Sequence, residues 1–101
     1  MLVPAVSIEL VTMHARWLTP LQNDVLLVAA MPQIYEWPER WVAQSARQDA
    51  IAWGLVRRGL LHELPKIPGG YETTPLGQGV ASLLIADDLA QIERDAMAIG
   101  L

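Results

Sequence analysis

The amino-acid sequence predicts a single, mostly α-helical domain that contains one small β-hairpin. Three observations support this fold class. The 101 residues suit one domain. Apolar residues recur with helical spacing over most of the chain. Finally, the proline- and glycine-rich run Pro65–Gly70 separates two short stretches, about Leu60–Leu64 and Gly70–Thr74, whose composition suits strands joined by a loop.

The N-terminal third contains two predicted helices. The first is expected from about Pro4 or Ser7 to Trp17, where helical spacing competes with a strand-like alternation but the length favours a helix. The run Thr19-Pro20-Leu21-Gln22 then predicts a helix start, with an N-cap, a proline at the first helical position and a capping box. This second helix, to about Ala30, is apolar nearly all round and is expected to be the central buried helix.

Two short helices are predicted in the middle of the chain, after a connection over Met31–Pro38 that contains two prolines. The first runs from Glu39 to about Ala46 and the second from about Arg47 to Arg58, with Ser45–Gln48 serving as the turn between them. Gly59 after two arginines predicts the end of the second helix, because glycine tolerates a left-handed cap.

The helix of residues 47–58 has two distinct faces at ~100° per residue. Its core face carries Gln48, Ile51, Ala52, Leu55 and Gly59, and its other face carries Ala50, Trp53, Gly54 and Arg57, with Arg47 and Arg58 beside it. After the hairpin, Thr74-Pro75 opens a further helix with an apolar stripe. Because Asp87-Asp88 interrupts that stripe, the sequence allows either one long helix or two stacked pieces.

The stretch Arg47 to Gly77 resembles the winged helix-turn-helix family of transcription regulators. The resemblance is carried by Arg57-Arg58-Gly59-Leu60-Leu61 and by Tyr71, Thr74, Pro75 and Gly77, and at fold level it covers about residues 19–86. It implies a recognition helix over 47–58, a wing formed by the hairpin, and terminal extensions over 1–18 and 87–101 that dimerise. It also implies that double-stranded DNA is the partner.

The charge distribution agrees with that resemblance although the net charge of −4 does not favour a general nucleic-acid binder. Residues 40–66 carry a net charge of +3, whereas residues 1–39 carry −3 and residues 67–101 carry −4. The positive charge therefore lies in the segment that a winged helix presents to DNA. The candidate DNA contacts are Arg47, Gln48, Ala50, Gly54, Arg57, Arg58 and Lys66, the small residues allowing close backbone approach.

Several features favour a protein partner instead. Apolar residues make up 52% of this short chain, so part of that surface is expected to meet another chain, and a homodimer is predicted. The candidate interaction residues are Trp53, Leu89, Ile92 and Ile99. The alternative function is a non-enzymatic protein-binding module on a winged-helix scaffold without DNA affinity, such as an adaptor or a phage-type inhibitor of a host complex.

The remaining function classes find little support. The two histidines and three serines form no recognisable metal or nucleophile pattern, so we expect no enzyme activity, no cofactor and no metal site. Zero cysteines exclude disulfides. No apolar run approaches the ~18 residues of a membrane helix and no signal peptide is apparent, which leads to the expectation of a cytoplasmic protein.

Overall fold

Four helices and a three-stranded antiparallel sheet make up the fold in a computed structural model that describes residues 7–100. In chain order the elements are α1 (Ile8–Trp17), α2 (Pro20–Ile34), β1 (Trp41–Val42), α3 (Ala46–Arg57), β2 (Leu61–Glu63), β3 (Gly70–Thr73) and α4 (Pro75–Ala98). The strand order is β1-β3-β2. The domain is therefore helix-rich with a small sheet, an arrangement compatible with a winged helix.

Both N-terminal helices begin at capped residues, and the capping box of the second helix is confirmed. The Ser7 hydroxyl accepts from the Leu10 amide, whereas Pro4, the alternative start, lies outside the described residues. Thr19 and Gln22 form the complete capping box, with Pro20 at the first helical position. Both helices therefore begin where side-chain oxygens replace missing backbone acceptors.

Helix α2 extends one turn beyond the predicted end near Ala30. Pro32 lies inside its last turn and is buried. Beyond it, Glu36 adopts a left-handed conformation with φ of 55°, and the Trp37 amide donates to the Pro32 carbonyl at 2.8 Å. This closing arrangement of the Schellman type holds the last turn in place, so one proline near the C-terminus does not end the helix.

The predicted helix from Glu39 to Ala46 is wrong. This segment is extended and contributes β1, in which Trp41 pairs with Tyr71 and Val42 pairs with Gly70 of β3. A branched and an aromatic residue favour a strand once a pairing partner is present, and here the partner lies about thirty residues away. Consequently α3 follows β1 directly, without a separate preceding helix.

The hairpin of β2 and β3 confirms the predicted pair of strands, with Leu61 opposite Thr73 and Glu63 opposite Tyr71. Helix α3 begins at Ala46 with Ser45 as its N-cap and is followed by Gly59 in a left-handed conformation with φ of 76°, as predicted for the helix stop. The backbone between α3 and β2 thus reverses where only glycine is unstrained.

Helix α4 is one continuous helix rather than two pieces, and its start is attached to the end of α3. Thr74 caps α4, its hydroxyl donates to the Gly59 carbonyl at 2.5 Å, and its amide donates to the Leu60 carbonyl at 3.1 Å. A Cβ at Gly77 would lie only 1.8 Å from the Leu60 carbonyl oxygen. The T-P-x-G sequence therefore permits a backbone approach that a larger residue would block.

The core lies between α2, α3, the sheet and the first half of α4. The spacing of apolar residues in the sequence predicts one buried cluster of Val25, Leu26, Val28, Ile51, Leu55, Leu60, Leu76 and Val80. Of these, Leu26, Leu55, Leu60 and Val80 are fully buried, as is Tyr71. Of the other predicted core residues, Val25 is buried, while Ile51 and Leu76 are half-buried at its margin. Val28 is the exception, because it lies on the outer side of α2 and is 36% exposed.

Candidate nucleic-acid interface

The exposed face of α3 presents cations at its two ends and an aromatic ring in the middle. Arg47 and Ala50 are exposed near the helix start and Arg57 near its end. Trp53, between them, is 40% exposed, and no aromatic ring of the described residues stacks on it. The face therefore combines two charged side chains with one apolar contact group.

Gln48 closes the N-terminus of α3. Its side-chain carbonyl accepts from the Gln44 backbone amide at 2.7 Å, and its own amide N–H donates to the Ser45 hydroxyl at 3.1 Å. This exchange resembles a capping box that is shifted by one residue. Gln48 therefore fixes the start of α3 through both its side chain and its backbone amide.

Asp49 joins the first turn of α3 to the sheet. Its carboxylate accepts from the hydroxyl of Tyr71 on β3 at 2.6 Å, and Tyr71 is only 1% exposed. Burial, followed by the hydrogen bond to Asp49 and the charges of Asp49 and Glu63, raises the pKa of the Tyr71 hydroxyl well above its usual range. The bond thus holds the α3 face in a defined orientation relative to the hairpin.

Two of the candidate contacts lie away from the exposed face of α3. Gly54 is half-buried, and a Cβ there would lie 3.5 Å from the Gln22 side chain of α2. Arg58 is exposed but borders a shallow groove on α1, lined by Met13, His14 and Trp17. The helical period placed both near Arg47, but Gly54 packs on α2, and Arg58 is already at the helix cap.

The arginines at α3 and the lysine of the β2–β3 loop have no carboxylate partner among residues 7–100. Within that range the ion pairs are Arg40–Glu72 at 2.9 Å and His62–Glu72 at 2.8 Å, the latter only when the imidazole is protonated. We refer to the four remaining cations of this region as the basic set: Arg47, Arg57, Arg58 and Lys66. Lys66 lies exposed in the loop between β2 and β3.

Sequence reasoning missed the polar cluster on the outer face of the sheet. Glu72 on β3 lies between Arg40, just before β1, and His62 on β2, and its two carboxylate oxygens accept from both neighbours. The Arg40 guanidinium also donates to the Trp37 carbonyl at 3.1 Å. Only the pairing register brings these residues together, so no local signal in the sequence could have revealed the cluster.

The candidate interaction residues of α4 lie on its far end, away from α3. Leu89, Ile92 and Ile99 are 57%, 63% and 72% exposed, and neither α1 nor the sheet covers them. The described residues contain no group of histidines and carboxylates that could hold a metal ion. Across residues 7–100, no helix combines the length and apolarity needed to cross a membrane.

Comparison with known proteins returns no match for this chain, whether to a family model, to a curated protein or to a solved structure.

Proposed function

We propose that the chain is a DNA-binding module of the winged-helix type that uses α3 and the β2–β3 loop. The observation that supports this most directly is the basic set. Its four cations have no carboxylate partner among residues 7–100; Arg47, Arg57 and Lys66 lie on α3 or in the hairpin loop, and Arg58 caps α3. Unpaired cations on one helix and one loop are what phosphate binding requires, because an ion pair must otherwise be broken first.

In the proposed complex the cations and the uncharged residues of the interface have different roles. Arg47 near the start of α3, Arg57 near its end, and Lys66 on the hairpin bind phosphates and fix the position of the module. Ala50 and the exposed edge of Trp53 face the major groove, where small and apolar groups suit contact with thymine methyl groups. All four carboxylates of α4 lie in its C-terminal half, at Asp87, Asp88, Glu93 and Asp95.

The extended segment before α3 shapes this interface. In a helix-turn-helix, the helix before the recognition helix crosses the DNA backbone. This chain has β1 and a short link to Ser45 at that place. Fewer backbone amides and side chains then reach phosphate from one protomer. Each protomer therefore binds DNA with modest affinity. In a dimer the second protomer binds at a high effective concentration once the first is bound, which raises the overall affinity.

Helix α1 supplies a self-complementary surface for such a dimer. Leu10, Met13 and Trp17 are exposed at spacings of three and four residues, and Glu9 and Arg16 lie along one edge of this stripe. When two copies of α1 pack antiparallel about a twofold axis, Glu9 of each faces Arg16 of the other. The proposed homodimer therefore pairs through α1, with opposite charges at its border.

The test is DNA binding over a salt series. A fluorescent duplex of mixed sequence, titrated with the full chain and followed by anisotropy, should give affinity that falls with salt at a log–log slope of roughly 3 per protomer, at ~0.9 per phosphate contact. Arg57→Ala should flatten the slope by about 1. Arg94→Ala, on α4, is the matched control and should leave it unchanged. A folded protein that retains no duplex even at low salt would refute the proposal.

The exposed Trp53 favours a second candidate function, a protein-binding module on the same scaffold. Aromatic side chains that are exposed in the free protein and buried in a complex often contribute most of the binding energy. In that case Trp53→Ala removes binding to the partner, whereas Arg57→Ala alters mainly the association rate. If DNA is the partner, Arg57→Ala should weaken binding more than Trp53→Ala does, because an indole offers a base edge only one donor.

A further inference from the structure

The last turns of α4 carry an exposed apolar stripe with the spacing of a coiled-coil helix. The stripe consists of Leu89, Ile92, Ala96 and Ile99, which follow one another at intervals of three, four and three residues. We refer to these residues as the α4 seam. Ala96 is half-buried and the three larger residues are more than half exposed. Alternation of three and four places all of them on one line along the helix, which is the surface that a second helix covers.

Both edges of the α4 seam are acidic. Asp88 and Asp95 border it on one side and Glu93 borders it on the other, at the positions that flank an a/d stripe. Arg94, the one cation of this helix, projects on the opposite side, where its guanidinium donates to the Gln91 side chain at 2.7 Å. The Gln91 amide in turn donates to Asp95 at 2.9 Å, so no positive charge reaches the seam.

Self-pairing of the α4 seam brings carboxylates together in either orientation. In a parallel pair, Asp88 of one copy faces Glu93 of the other. In an antiparallel pair, Glu93 faces Glu93, and Asp88 faces Asp95. Like charges at these positions disfavour the pairing. The stripe of α1 differs in this respect, because antiparallel copies place Glu9 against Arg16.

We infer that the α4 seam binds an amphipathic helix of another protein, apolar at the same spacing and bearing lysine or arginine along both edges. Such a helix covers the exposed leucine and isoleucines and supplies the opposite charge to Asp88, Glu93 and Asp95. Anionic lipid and DNA phosphate are disfavoured by the same three carboxylates. The inference does not depend on DNA binding, because the α4 seam and α3 are separate surfaces.

The experiment uses the full chain and synthetic helical peptides of defined pattern. One 21-residue peptide has leucine at the a and d positions and lysine at e and g; a second has glutamate at e and g; a third keeps the lysines but has serine at a and d. In anisotropy titrations the lysine–leucine peptide should bind at least tenfold more tightly than either of the others. Ile92→Asp should weaken it by at least tenfold.

Charge reversal distinguishes the edges of the α4 seam from the overall acidity of the protein. The triple variant Asp88→Lys, Glu93→Lys, Asp95→Lys should exchange the preference, so that the glutamate–leucine peptide binds more tightly. Asp87→Lys, on the far side of the helix, makes a charge change of the same kind and should leave the preference unchanged. Circular dichroism establishes that each variant is folded.

Three outcomes would overturn the inference. Equal binding of the lysine peptides with and without leucine would mean that charge alone is recognised. Equal binding of the lysine–leucine and glutamate–leucine peptides would mean that the acidic edges select nothing. Conversion of a dimer to a monomer by Ile92→Asp in sedimentation would mean that a second copy of this chain covers the α4 seam.

Discussion

At the residue scale, the most informative contact is the bond between Tyr71 and Asp49. In the sequence, Tyr71 belongs to the motif that resembles a winged helix, and Asp49 lies near the start of the predicted helix of residues 47–58. The structure gives both a shared role, since the buried phenol donates to a carboxylate on the first turn of α3. Helical periodicity placed Asp49 on α3 correctly, but no local pattern links positions that are 22 residues apart.

The first prediction concerns Tyr71→Phe. Removal of the hydroxyl leaves the half-buried Asp49 carboxylate without this donor, so the free energy of unfolding should fall by about 1–3 kcal/mol. Chemical denaturation followed by tryptophan fluorescence measures the change. Tyr35→Phe is the matched control, because Tyr35 is 61% exposed, and it should change stability by less than ~0.5 kcal/mol. Equal effects of the two substitutions would contradict the role assigned to Tyr71.

The pH dependence of the free energy of unfolding provides a second test of the Tyr71 hydroxyl. The folded state raises the pKa of Tyr71, so the unfolded chain releases this proton first, at about pH 10. The contribution of the Tyr71 hydroxyl to the free energy of unfolding is therefore fully present below pH 10. It falls as the pH rises above 10, by up to ~1.4 kcal/mol per pH unit. The decline should be smaller in Tyr71→Phe, with denaturation midpoints between pH 8 and 11 as the measurement. Parallel curves for the two proteins would show that Tyr71 ionises normally.

At the scale of elements, helix starts were predictable and strand pairing was not. Ser7, Thr19 and Thr74 cap helices through bonds within four residues, so their sequence context is sufficient. The segment containing β1 was predicted to be helical, because its pairing partner on β3 is distant in sequence. For the candidate site, the exposure of Arg47 and Arg57 agrees with the helical period, whereas the position of Gly54 depends on how α2 crosses α3.

Glycine substitutions test the packing of α4 on Leu60 and of α3 on α2. Gly77→Ala places a Cβ 1.8 Å from the Leu60 carbonyl oxygen, so the start of α4 must move away from β2, and stability should fall by about 3 kcal/mol or more. Gly54→Ala is the control within α3, since its Cβ meets only an ordinary contact with Gln22 at 3.5 Å. That change should stabilise the protein by about 0.5–1 kcal/mol. Thermal unfolding of both variants measures the difference. A Gly77→Ala variant as stable as the unmodified chain would show that the backbone at Gly77 does not pack tightly on the Leu60 carbonyl.

At the scale of the whole molecule, the basic set and the exposed apolar stripes lie on different elements. The basic set lies on α3, at its C-terminal cap and in the β2–β3 loop, whereas exposed apolar stripes lie on α1 and at the end of α4. The segment charges in the sequence already indicated the position of the basic set. The sequence also indicated an apolar excess, but only the packing of α1 on α4, with Val11 against Gly79, shows which side of α1 remains exposed.

In the proposed dimer, the apolar stripe of α1 holds two copies of the DNA-binding surface together, and this can be tested by substitution. Met13→Asp places a carboxylate in the middle of the α1 stripe, so sedimentation velocity should show a dimer for the unmodified chain and a monomer for the variant. Affinity for a duplex with two half-sites should then fall by at least ~100-fold through lost effective concentration, while affinity for a single half-site stays the same. Met97→Asp, 77% exposed on α4, carries the same charge and should alter neither quantity. If Met13→Asp weakened single-site binding equally, α1 would act through folding or direct DNA contact rather than through dimerisation.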